Sequence, residues 1–215
     1  MELYDLPHSP YAARVRMYIY ARNLAVDISA PPGGLGSDTY KALTVSNKVP
    51  ILNNDGAYLA ESSAIIEYLE AQFTDGALGP ADPWARAQQS AMTRYIDLYF
   101  AQALFPLFQQ LRAVPRDKAV VASALAKLLE ELLTLQRWYQ LSELQPTSVL
   151  TTVDCAVIPV LFYVRTLAPL FGVSEPLAAT PLLTERWAWA EQHLVASRVI
   201  EEMAAGLKAV MSGAK

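Results

Sequence analysis

The residues that could do chemistry fall in two short stretches, 8–16 and 48–62. In the second, Lys48-Val49-Pro50 leads into an apolar run with Ile51 and Leu52. Asn53-Asn54-Asp55-Gly56 then supplies residues that tolerate the positive φ of a tight turn. Ala57-Tyr58-Leu59 forms a return run, so the pair reads as a β-hairpin. Glu61-Ser62-Ser63 opens a helix whose Ile65, Ile66, Leu69 and Phe73 share one face. Ser62 is suited to cap that helix, because its hydroxyl can accept from an orphan backbone N–H. A helix start also presents N–H groups and the positive end of the dipole. Pro50 cannot donate to a sheet ladder and so marks a strand start or bend. Hairpin, proline and helix start together form a platform for a small acidic ligand. In the first stretch Ser9, within His8-Ser9-Pro10-Tyr11, is by its own features a turn or cap residue. Nothing around it supports a Ser-His-Asp triad. The single cysteine, Cys155, and two distant histidines, His8 and His193, give no metal-ligand spacing, so no metal is expected.

The elements that must position these residues can be read from the pattern. Met1–Asp5 reads as a strand, Tyr11–Arg22 as a helix with Val15 and Ile19 facing inward, and Ala25–Ser29 as a second strand. A glycine-rich loop (residues 30–37) and a short helix (38–44) lead to the hairpin and its helix. That βαβαββα order implies a sheet with helices on its faces. The Gly- and Pro-rich segment 76–83 is the expected linker between domains 1–75 and 84–215. Everything beyond reads as helix. Trp84–Leu111 is expected to be kinked at Pro106. Arg116–Leu141, Thr151–Ala168, Pro181–His193 and Ala196–Met211 come after it. Thr151-Thr152-Val153-Asp154 has the spacing of a capping box, a folding device.

Composition narrows the function classes. The 215 residues are 53% hydrophobic and 18% charged, enough for a sizeable core. A net charge of -4 argues against nucleic acid or an anionic membrane as partner. One cysteine allows no disulfide within the chain and suits a reducing, cytoplasmic compartment. The first residues lack the pattern of a signal peptide. The most apolar region, Cys155–Phe171, is interrupted by Pro159, Arg165 and Pro169, so no membrane span is expected.

Lys48-Val49-Pro50-Ile51-Leu52, the hairpin, and Glu61-Ser62 before an apolar helix resemble the glutathione-binding half of the cytosolic glutathione transferases. The resemblance implies a thioredoxin-like N-terminal domain followed by an all-α C-terminal domain. It also implies a cis Pro50, with the Val49 backbone offered to the glutathione cysteine. Glu61 and Ser62 would grip the γ-glutamyl end, and Lys48 would reach the glycine carboxylate. Upstream the chain has Thr44-Val45-Ser46-Asn47 where many members carry Asn-Pro-x-Gly. Ser9 before Pro10, with Arg14-Val15-Arg16 following, is similar to the serine-type classes, in which a hydroxyl stabilises the glutathione thiolate. Tyr4 and Cys155 are rival nucleophile-side residues that read instead as core. No cysteine stands at 9 or 10, unlike the disulfide-exchanging classes.

The same resemblance implies a homodimer that conjugates glutathione, its co-substrate, to a small electrophile. Tyr11, Arg14, Tyr95 and Tyr99 are candidates for the electrophile site, and Arg94 stands beside them. Tyr95 and Tyr99 share a helix face that could equally serve packing. Arg14 and Arg16 could meet an anionic substrate or pair with acids. Two alternatives stay open. Arg14-Val15-Arg16 is shared with the zeta class of glutathione-dependent isomerases acting on maleylacetoacetate. A non-catalytic interaction protein on the same fold is the other, and the joint presence of Ser9, Lys48, Glu61 and Ser62 argues against it.

Overall fold

Four short strands organise the N-terminal part. The computed structural model describes residues 1–141 and 148–213. β1 (Glu2–Tyr4), α1 (Pro10–Ala21), β2 (Asp27–Ser29), α2 (Asp38–Leu43), β3 (Ile51–Asn54), β4 (Ala57–Ala60) and α3 (Ser62–Gln72) follow in that order. The sheet runs β2-β1-β3-β4, parallel between β1 and β2 and antiparallel elsewhere. This is the mixed sheet of a thioredoxin-like domain. The hairpin closes on Asp55 and Gly56, both at positive φ (51° and 89°), as a two-residue primed turn requires. Asn53 Oδ1 steadies it by accepting from Gly56 N–H at 2.9 Å.

Helices make up the remainder: α4 (Pro83–Tyr95), a π turn (Ile96–Phe100), α5 (Ala101–Ala103), α6 (Phe105–Arg112), α7 (Lys118–Leu141), α8 (Thr152–Leu167), a 3-10 turn (Ala168–Phe171), α9 (Pro181–Gln192) and α10 (Leu194–Met211). The expected kink at Pro106 is a more extended break. The π turn interrupts the helix ten residues before that proline, and Pro106 itself sits in the first turn of α6, where a missing N–H costs nothing.

Two compact units result. The first contains Met1–Gly79, Leu150–Pro159 and the described residues from Gln192 onward; the second contains the described residues of Pro80–Val149 and Val160–Glu191. The C-terminal helix α10 therefore groups with the sheet-bearing unit, where it packs on α1. α8 contributes its first half to one unit and its second to the other, dividing at Pro159. By length and composition Thr152–Phe171 could cross a membrane, but 78% of its apolar window is buried within the protein, as a core helix is.

Nearly all of α1 is buried, from Ala12 to Ile19, including Arg14 and Arg16. Val15 and Ile19 are apolar anchors of the expected kind; the two arginines enter the interior because acceptors wait there. In the second unit, Ala124, Leu128, Leu132, Leu135 and Tyr139 give α7 a continuous buried stripe. At the start of α8, Asp154 Oδ2 accepts from Thr151 N–H at 2.7 Å and from Thr151 Oγ1 at 2.6 Å, while Asp154 N–H donates back to Thr151 Oγ1 at 3.3 Å. This is a closed capping box.

Candidate functional site

The sheet register gathers the candidate residues of the first unit at one end. Tyr4 pairs with Ile51, and Ile51 pairs with Ala60. The turn after β1 carries Ser9, the segment entering β3 is Val49-Pro50, and the segment leaving β4 is Glu61-Ser62. Because neighbouring strands lie about 4.8 Å apart, three adjacent strand ends set these three segments side by side. The Val49–Pro50 peptide is cis.

Each segment is held from behind. Ser9 caps α1: its Oγ accepts from Ala12 N–H at 3.3 Å, which leaves the hydroxyl proton available to another acceptor. The Lys48 carbonyl accepts from the Tyr40 hydroxyl at 2.7 Å, fixing the residue before Val49. Tyr40 is fully buried, which pushes its hydroxyl up to about 12, so it stays a donor at all ordinary pH. Tyr40 packs edge-on against Tyr4 and with Ile51, and Val49 and Leu43 complete that cluster. Lys48 itself is exposed.

Glu61 is the N-cap of α3 at φ 70°, a conformation uncommon outside glycine, and no side chain caps the helix. The expectation that the Ser62 hydroxyl would cap it is corrected. Ser62 is the first helical residue, is 6% exposed, and its Oγ accepts from Arg14 Nη1 at 3.1 Å; Ser63 Oγ accepts from the same nitrogen at 3.0 Å. Arg14 is thus drawn inside to brace the start of α3. Tyr11, half-buried, has the Arg14 guanidinium 5.6 Å from its ring centre. Arg16 is buried as well, paired with Asp5 and Glu202. Burial raises the Asp5 carboxyl pKa, against which Arg16 pulls down.

The rivals are core residues. Tyr4 is 6% exposed, accepts from Asn53 Nδ2 at 3.3 Å, and burial raises its hydroxyl pKa. Cys155 is wholly buried, and burial pushes its thiol pKa well up, away from a reactive thiolate.

Tyr95 and Tyr99 belong to the second unit. Their rings stack at 5.7 Å, but the Tyr95 hydroxyl is committed to the Glu131 carboxylate, which with burial raises its pKa. Tyr99 is 57% exposed and, with Leu98, Gln102, Pro106 and Val120, lines a cavity of about 590 Å³ between the π turn and α7. Arg94 is exposed.

Residues 3–77 match the family of the glutathione S-transferase N-terminal domain. Glutathione transferase GST 23 of Zea mays is 27% identical over 133 residues, 61% of this chain and 60% of that protein. The N-terminal region belongs to that domain family, and the whole chain has the glutathione transferase fold. Protein LigF of a Sphingobium species is 41% identical over 66 residues, 30% of this chain and 26% of that one. Maleylacetoacetate isomerase of Pseudomonas aeruginosa is 32% identical over 102 residues, 45% and 48% of the two chains. Across the first curated relatives the matches span 26% to 60% of those proteins. In fold the likeness spans most of the chain: glutathione transferase F7 of Populus trichocarpa superposes with a TM-score of 0.78 at 18% identity, over 94% of this chain and 98% of that one.

Two positioning devices at this site carry no local signal in the sequence. Tyr40 sits in a short helix with no periodic signal of its own, and its link to Lys48 depends on how the loop between them folds. The bonds from Arg14 to Ser62 and Ser63 span 48 and 49 residues of sequence, beyond any local spacing rule.

Proposed function

We propose that this protein is a glutathione transferase of the serine type, in which glutathione lies across the sheet end formed by Ser9, Val49-Pro50 and Glu61-Ser62. The observation that carries the reading is the Tyr4–Ile51–Ala60 register, which brings a hydroxyl, an edge peptide and an open helix start together. The Val49 backbone would pair with the backbone of the glutathione cysteine. Glu61, the Ser62 hydroxyl, which accepts from Arg14 and keeps its own proton to donate, and the first N–H groups of α3 would receive the γ-glutamyl end, its carboxylate at Ser62 and the positive helix terminus and its ammonium at Glu61. Lys48, exposed beside Pro50, would reach the glycine carboxylate.

Ser9 then donates its free proton to the sulfur. A hydrogen bond to a charged group contributes about 1.5–3 kcal/mol. At ~1.4 kcal/mol per unit this lowers a thiol from ~8.5 by about 1–2 units. The thiolate forms a carbon–sulfur bond with an electrophilic carbon, and the displaced electron pair leaves with the departing group or goes to a neighbouring atom that water protonates. The isomerase relative favours a second reading, isomerisation of maleylacetoacetate, an anionic enone. The burial of Arg14 and Arg16 counts against it, since neither is free to receive a substrate carboxylate.

Calorimetric titration with glutathione, run on wild type and Ser9→Ala, tests the reading. Both proteins are expected to bind in the micromolar to millimolar range, with proton release only from wild type. Absence of binding up to several millimolar would overturn it.

A further inference from the structure

The turn that carries Ser9 is held by the last helix of its unit. Gly206 of α10 approaches so closely that a Cβ there would lie 2.9 Å from His8 N and 2.9 Å from Pro7 Cβ, shorter than such contacts tolerate. One turn earlier, Glu202 Oε2 forms an ion pair with Arg16, 2.7 Å from its Nε. Arg16 is 2% exposed and directs its other nitrogens at the same turn: Nη1 pairs with Asp5, and Nη2 donates to the Pro7 carbonyl at 3.0 Å. Glu202 is fixed in turn by Arg198 Nε at 3.0 Å and by the Tyr20 hydroxyl at 3.2 Å. Two acids and two arginines balance, so the half-buried network carries no net charge. The backbone of Pro7 and His8 thus lies between a guanidinium anchored on α10 and the bare backbone of Gly206, and the next residue is Ser9.

We propose that Glu202 and Gly206 are positioning residues for Ser9, so that α10 sets how strongly the hydroxyl stabilises a bound thiolate. The inference rests on the reading of Ser9 as thiolate donor. A hydrogen bond weakens steeply with poor angle and distance, so a small displacement of Pro7–His8 is felt at the sulfur. Val49 and Pro50 are held from Tyr40, and Ser62 keeps its bond from Arg14, so that wall is expected to stay in place.

The test compares wild type with Gly206→Ala, Glu202→Gln and Glu202→Asp. Glutathione is the probe, its affinity measured by calorimetry and the pKa of the bound thiol by ultraviolet thiolate absorbance against pH. Gly206→Ala and Glu202→Gln are expected to bind glutathione within about twofold of wild type while raising the bound thiol by about half a unit or more. Glu202→Asp, which keeps the charge, restores part of the shift. Amide hydrogen exchange without ligand gives the second readout: residues 6–12 exchange faster in Gly206→Ala, while β3 does not. An unchanged thiol pKa beside lowered stability would overturn the inference, reducing α10 to a structural helix. Unchanged exchange at 6–12 would overturn it as well. If wild type binds no glutathione, the transferase reading falls, and the exchange result alone decides whether α10 holds the turn.

Discussion

Two helices of the first unit begin in opposite ways. The start of α8 is closed on itself: Thr151 and Asp154 exchange three hydrogen bonds, and Asp154 is 2% exposed. The start of α3 is open. Its N-cap, Glu61, holds an uncommon φ of 70°, no side chain caps it, and the nearest hydroxyl, Ser62, is turned to Arg14 instead. A closed start stabilises the fold and leaves nothing for a ligand. An open start with a strained cap costs stability and keeps backbone donors for something else. The contrast separates a folding device from a candidate binding device within one unit.

The largest expected effect falls on the closed start. Asp154→Ala removes the acceptor for two Thr151 donors and should cost about 2–3 kcal/mol in denaturant unfolding. The glutathione affinity of the molecules that remain folded should not change. A loss of affinity with unchanged stability would reverse the contrast.

Ser62→Ala attacks the open start. Arg14 keeps Ser63 as an acceptor, so stability should fall by less than about 1 kcal/mol, while glutathione affinity should fall roughly tenfold, or ~1.4 kcal/mol. Glu61→Gly sharpens the point. It relieves the positive φ, so stability should stay level or rise by up to about 1 kcal/mol, yet binding should weaken because the carboxylate is gone. A Glu61→Gly protein that lost stability would show that Glu61 serves the fold.

The smallest effect concerns the turn before Ser9. Burial lowers the His8 pKa from its ordinary 6.5. The folded state therefore favours neutral His8; its contribution is fully present above pH 6.5 and is lost as pH falls below that value. His8→Gln should remove this component of the stability-against-pH curve, measured by unfolding between pH 5 and pH 7.5.

Much of this was legible in the sequence because it is local. Periodicity gave the helices of both units, Asp55-Gly56 gave the hairpin, and the Thr151–Asp154 spacing gave the box. What stayed hidden depends on long-range partners. Arg14 and Arg16 look like surface residues until Ser62, Ser63, Asp5 and Glu202 arrive from distant elements to meet them. Ser62 looked like a cap because Ser is a good one; a buried guanidinium outcompeted the backbone for its hydroxyl. The break at Ile96–Phe100 left no proline or glycine as a marker, so the expectation settled on Pro106.

The most direct measurement is a calorimetric titration of glutathione into wild type and Ser62→Ala, both shown folded by denaturant unfolding. Saturable binding by wild type, weakened roughly tenfold in a Ser62→Ala protein of near-native stability, is the predicted result. Equal affinities, or no binding by wild type up to several millimolar, would contradict the assignment of the open helix start to glutathione.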